Sequence, residues 1–143
     1  MTDRGSASVE VAILTPAFLF LFVLAAVVGR VTIAQNAIDL AAHDAARAAS
    51  ISRTAGAAES AATAAAEDTL AEQDLDCVPL DVIVDSDDFG DALGVPANPN
   101  NPPTVSVRIV CDVSLVDLPM LDLDTTTVEA THTSPLDYYR GRT

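Results

Sequence analysis

The sequence predicts an α+β protein in which one long N-terminal helix packs on a small antiparallel β-meander. Three observations predict it. An uncharged, strongly apolar run occupies Val11 to Gly29. An alanine-rich stretch with helical spacing of its polar residues follows, to about Gln73. After Cys77 the pattern changes to strict alternation of apolar and polar residues, the period of a half-buried strand.

The apolar run holds 19 residues without a charge. As a helix it would be roughly 28 Å long, close to the hydrocarbon thickness of a bilayer. Phe18 to Leu24 form its most apolar part, and Pro16 is expected to kink it. A removable secretory signal would have a shorter apolar core ending in a small-x-small site. Here the run is long, Glu10 stands immediately before it, and Ala25-Ala26-Val27 makes a poor cleavage site. A plain signal anchor explains the run but not the residues before it. Arg4 and Arg30 flank the run evenly, so arginine count does not orient it. The short N-terminus and the long acidic remainder favour an N-terminus in the cytoplasm and a C-terminal domain outside.

Beyond Arg30 the helix is expected to continue. Asn36, Asp39, His43, Arg47 and Ser50 recur at spacings of three or four and form one face. Ile33, Ala37, Leu40, Ala41 and Ala45 lie elsewhere on the cylinder. The many alanines either permit close helix approach or serve only as good helix formers. Gly56 is expected to break the helix, and Ala57 to Gln73 to resume it. Val78, Leu80, Val82 and Val84 alternate with polar or exposed positions as a first strand. Val105, Val107, Ile109, Cys111 and Val113 alternate as a second. Thr125 to Thr133, rich in β-branched residues, is the third. Between the first two strands, Ser86 to Pro103 carries Gly90, Gly94, Pro96, Pro99, Pro102 and Pro103, which spell a loop, with or without a short helix.

Composition bounds the function. The net charge is −14 and there is no lysine; after Arg30 there are 19 acidic side chains against five arginines. Such a surface repels nucleic acid and anionic headgroups, so nucleic-acid binding is excluded as a working hypothesis. Aromatic residues are 4% and tryptophan is absent, which leaves little material for a large core outside the apolar run. The only two cysteines, Cys77 and Cys111, both follow that run. Outside the membrane they can pair as a disulfide; the competing reading is two buried thiols acting as small apolar residues.

The start of the chain carries the most specific pattern. Gly5 precedes Ser6, and Glu10 follows five residues after the glycine, directly before the apolar run. The stretch RGSASVEVAILTPAFLFLFVLAAVVGRVTIAQNAIDLAAHDAARAAS, from Arg4 to Ser50, resembles the TadE-like minor pseudopilins of the tight-adherence (Tad/Flp) pilus system, a type IV pilin-like family. The tail EATHTSPLDYYRGR resembles them more loosely, and the middle only in style. The resemblance implies a leader at residues 1–5, cut between Gly5 and Ser6 by a prepilin peptidase. It implies a transmembrane helix at 6–29, an extracytoplasmic helical region at 30–73 and a small β-rich domain at 74–143, in the α+β layout of pilins. It further implies other pilins or pseudopilins, the pilus assembly platform and the membrane as partners, with no cofactor. Physical chemistry gives Glu10 a role beside the resemblance. A carboxylate at the hydrocarbon edge is costly unless paired, and the new α-amine of a processed Ser6 lies one helical turn away. Alternatively Glu10 snorkels at the headgroups and Gly5 is a loop residue.

Other candidate sites are weaker. The segment Asp85 to Asp91 invites a calcium reading, but an EF-hand loop would need an oxygen ligand at Phe89 and glutamate at Pro96. A solvated acidic loop is the expectation. His43 reads as a helix-surface histidine, with pH sensing or metal ligation as the alternative. Neither His43 nor His132 has a serine or cysteine partner in any recognisable arrangement. No phosphate loop, metal cluster or activated nucleophile is evident, and no catalysis is expected. Two functions therefore stand. One is a structural subunit of a pilus or related secretion apparatus. The other is a single-pass membrane protein whose acidic domain binds a partner at the surface, neither processed nor polymerised.

Overall fold

The computed structural model describes residues 6–87, 89, 102–114 and 125–136, with side chains from Val9 onward. They form helices α1 (Ser6–Ser50) and α2 (Ala55–Glu72), then strands β1 (Leu80–Asp85), β2 (Thr104–Ser114) and β3 (Thr125–Pro135). The architecture is α+β, as the change of period predicts. The chain divides into two compact units, one ending at Ile33 and one beginning at Ala34.

The first unit is helical throughout its described residues. Pro16 lies inside α1. A proline there has no N–H to offer the carbonyl of Ala12. Just before it, the Thr15 hydroxyl donates to the Val11 carbonyl at 2.7 Å. Thr32 makes the same bond to the Val28 carbonyl at 2.8 Å. Both hydroxyls are thus satisfied by their own helix, as apolar surroundings require.

In the second unit, the rest of α1 buries a stripe of small residues. Ala34, Ala37, Ile38, Ala41, Ala42, Ala45, Ala46 and Ala49 are all buried, at spacings of three and four. Full burial of alanines, whose side chains reach no further than Cβ, requires close approach by neighbouring elements. Ile33 and Leu40 fall off the stripe and are exposed. Ser50, expected on the polar face, is buried instead, and its hydroxyl donates to the Arg47 carbonyl at 2.8 Å.

The helix breaks at residues 51–54, not at Gly56. The reason is local hydrogen-bond chemistry. The Ser52 hydroxyl reaches the Ala48 carbonyl at 3.3 Å, and Thr54, in an extended conformation, accepts from the Ala57 N–H at 3.2 Å. Thr54 is therefore the N-cap of α2, and Gly56 sits within the first turn, where helix propensity matters least. The other end of α2 closes in a Schellman motif. The Asp74 N–H donates to the Ala71 carbonyl and the Leu75 N–H to the Leu70 carbonyl, both at 3.1 Å, while Asp74 takes φ 54°. Aspartate fills a left-handed position that glycine usually occupies.

The sheet is an antiparallel meander in the order β1-β2-β3. Its inner face is Val105, Val107, Ile109 and Cys111 from β2 with Val128 and Ala130 from β3, all buried. From β1 only Leu80, Val82 and Val84 turn inward, and each is half-buried. Val78, expected to start the first strand on its apolar face, is exposed. It nonetheless extends the pairing: its N–H donates to the Asp112 carbonyl at 3.3 Å, and the Asp112 N–H donates to the Pro79 carbonyl at 3.4 Å. The third strand runs two residues past Thr133 to Pro135.

The outer face of the sheet is polar. Arg108 of β2 forms an ion pair with Glu129 of β3. Ser106 and Thr133 share a hydrogen bond at 2.7 Å, and the Thr127 hydroxyl donates to Asp112. These pairs follow the register, in which Ser106 faces Thr133 and Asp112 faces Thr127.

Candidate membrane anchor and assembly site

The N-terminal half of α1 shows no buried face. Val9, Val11, Ile13, Leu14, Phe18 to Phe22, Leu24 and Val28 are all exposed, Phe22 at 75%. A helix apolar all round is at home either in a protein core or in lipid. The apolar window of α1 is 0% buried within this protein, so it is not a core helix. It is long and apolar enough to cross a membrane.

Glu10 is the carboxylate at the edge of this surface. It lies on α1 and is exposed. Ser6 opens the same helix, one turn before Glu10. Gly5 lies outside the described residues.

The remaining candidates fall in the second unit. Cys77, in the connection from α2 to β1, is disulfide-bonded to Cys111 in β2, with a Cα–Cα distance of 5.2 Å. That distance lies within the usual range for the bond. Cys111 is fully buried on the inner sheet face, so the bridge ties the end of the helical region to the core of the sheet. Asp85 uses its carboxylate to accept from the Asp87 N–H at 3.4 Å, a local turn contact. Asp88, Gly90 and Asp91 of the acidic segment lie outside the described residues. Among the described residues, no group of three or more His, Cys, Asp or Glu side chains is placed to hold a metal ion.

Sequence reasoning missed a cluster that joins three elements. His43 of α1 and His132 of β3 meet edge to face, with ring centroids 4.7 Å apart. His43 Nδ1 lies 3.2 Å from Asp44 Oδ1, and the Thr69 hydroxyl of α2 donates to Asp44 Oδ2 at 3.4 Å. Gln35 of α1 donates to the Glu129 carbonyl of β3 at 2.8 Å. Apart from His43 and Asp44, the partners in these contacts lie far apart in the chain, and no local pattern links them.

One exposed apolar helix with a carboxylate at its edge, followed by a disulfide-bonded α+β domain, defines the class: a protein with, among the described residues, one helix able to span a membrane, near the N-terminus. Residues 5–47 match the family model described as TadE-like protein. Over that segment the chain is similar to TadE-like proteins. The match takes in Gly5, Ser6, Glu10, the apolar run and most of the buried alanine stripe; the disulfide, the sheet and His132 lie beyond it. No curated protein and no solved structure matches the chain.

Proposed function

We propose that this chain is a minor pseudopilin, a structural and assembly subunit of a Tad-type pilus or a related secretion apparatus, without catalytic activity of its own. The observation that carries the reading is the order Gly5, Ser6, Glu10, then a helix apolar on every side, all within the TadE-like segment. A prepilin peptidase on the cytoplasmic side would cut between Gly5 and Ser6. The helix would stay in the plasma membrane with the acidic domain outside, or enter the pilus with other pilins and the assembly platform. Cys77 and Cys111 would be bridged on the oxidising side.

Mass spectrometry of the mature N-terminus tests this. Membrane-extracted protein from cells with an active prepilin peptidase should begin at Ser6. Gly5→Leu should leave the leader attached, because a bulky side chain replaces the small one at the cut. A mature chain that retains residues 1–5 would instead favour an unprocessed single-pass protein with a partner-binding acidic domain.

Glu10→Gln separates anchoring from assembly. Membrane insertion should be unchanged or slightly improved, since a charge leaves the hydrocarbon edge. Incorporation into pili or assembly complexes should fall about tenfold or more, the scale of losing one charge-assisted hydrogen bond. Quantitative blotting of sheared pili against membrane fractions reads both quantities, and incorporation at the parent level would count against a pairing role for Glu10.

A further inference from the structure

We propose that His43 and His132 form a pH-sensitive latch between α1 and β3, closed while the pair carries at most one charge and open once both rings are charged. The chain has two histidines in all, 89 positions apart, and the fold brings them into contact. Their rings meet edge to face, with centroids 4.7 Å apart and planes inclined at 62°. Histidine is the side chain that changes charge between about pH 5 and 8, so a contact made of two of them answers to acidity in that range. Neither ring is sealed from water: the His43 side chain is 50% exposed and His132 is half-buried.

The groups around the pair compensate one charge and not two. Uncharged, the two imidazoles make an ordinary aromatic contact. With one ring charged the contact holds, because a cation against a neutral aromatic ring is attractive. A charge on His43 also has a carboxylate beside it. Asp44 Oδ1 lies 3.2 Å from His43 Nδ1, and Asp44 is held by the Thr69 hydroxyl of α2. Asp39 and Arg47, one turn either side of His43 on α1, carry opposite charges and offset each other. On α2, Glu67 and Asp68 beside Thr69 are exposed. On the sheet, His132 pairs in register with Val107, and the inner face of β2 is apolar through Val105, Val107, Ile109 and Cys111. Arg108 and Glu129 pair with each other on the outer face. Among the described residues, then, Asp44 serves His43 and no carboxylate forms an ion pair with His132. A second charge therefore sets two like charges 4.7 Å apart. That is well inside the Debye length of about 8 Å, so salt screens the repulsion little. The contact supports the domain at the neutral end of the range and is lost as pH falls. The bond from Gln35 to the Glu129 carbonyl carries no titrating side chain, so the seam opens at the histidines and not there. The inference does not depend on whether the leader is removed.

The test is proton NMR with amide hydrogen exchange on the full-length, tag-free chain in detergent, between about pH 8 and pH 5. The two histidine rings should show cross-relaxation at the upper pH and none at the lower. Exchange of the amides flanking His132, corrected for its intrinsic pH dependence, should then speed up about tenfold relative to β2, the scale of two like charges at this distance in a largely aqueous dielectric. His132→Phe keeps an aromatic ring and leaves the pair able to take only one charge, so its ring contact and protection should persist at the lower pH. His43→Phe should behave in the same way, and it carries the test if circular dichroism shows the first variant misfolded. Ring contact and protection in the parent that stay constant across the range would overturn the latch, as would equal losses in the phenylalanine variants.

Discussion

Replacing both Cys77 and Cys111 by alanine is expected to destabilise the domain by about 3–4 kcal/mol, the loop-closure entropy of a bridge of this span. The bond spans 34 positions, and the segment it closes includes β1 and the stretch from Ser86 to Pro103, with Gly90, Gly94, Pro96, Pro99, Pro102 and Pro103. Aromatic residues are 4% of the chain and tryptophan is absent, so covalent restraint of the unfolded chain counts for more here than in a domain with a large core. The bridge also joins the segment after α2 to a fully buried position of β2. For a domain of this size the loss corresponds to a fall in Tm of about 15–25 °C. Thermal unfolding of the full chain in detergent, with and without reductant, checks it. Alkylation of both thiols in the folded, unreduced protein would show that no bridge exists, and the variant would then unfold with the parent.

Ile109→Ala is the second large effect, expected at about 3 kcal/mol, within the range of roughly 2–5 seen for such truncations. Ile109 is fully buried at the centre of β2, with Val82 of β1 and Ala130 of β3 as its register partners. Ala130 is already small and Val82 is only half-buried, so neither can fill the space that truncation leaves. Val82→Ala serves as the comparison and should cost clearly less. Cys111 lies two residues along the same face, so combining Ile109→Ala with loss of the disulfide should depart from additivity. A cost below that of Val82→Ala would place the sheet's core elsewhere.

The strands and the apolar helix were legible from sequence because each has a strict period. Val105, Val107, Ile109 and Cys111 can alternate only one way, and an uncharged run from Val11 to Gly29 admits few structures. The helical region between them was less legible. Alanine is so frequent there that many helix faces could be the buried one, and only packing selects the stripe that ends with Ala49. The helix break was misplaced because glycine is a weak breaker near a helix start, whereas Ser52 and Thr54 supply competing hydrogen bonds. Of the candidate site, the spacing of Gly5, Ser6 and Glu10 was readable, as was the apolar surface after it. The contacts of His43 with His132, and of Gln35 with Glu129, were not, since pairs so distant in sequence leave no trace in any local pattern.

The hydrogen bond from Gln35 to the Glu129 carbonyl has a bearing on how copies of this chain can and cannot associate. Among the described residues β3 is an outermost strand of the sheet, and a carbonyl taken by a helix side chain is one that points away from β2. β3 is also low in charge and rich in threonine, the composition that invites another chain to add itself by strand pairing. Gln35 works against that outcome as a stopper on the open rung, because an incoming strand would first have to displace it. At high local density that bond works against amyloid-like stacking of copies through this edge of the sheet.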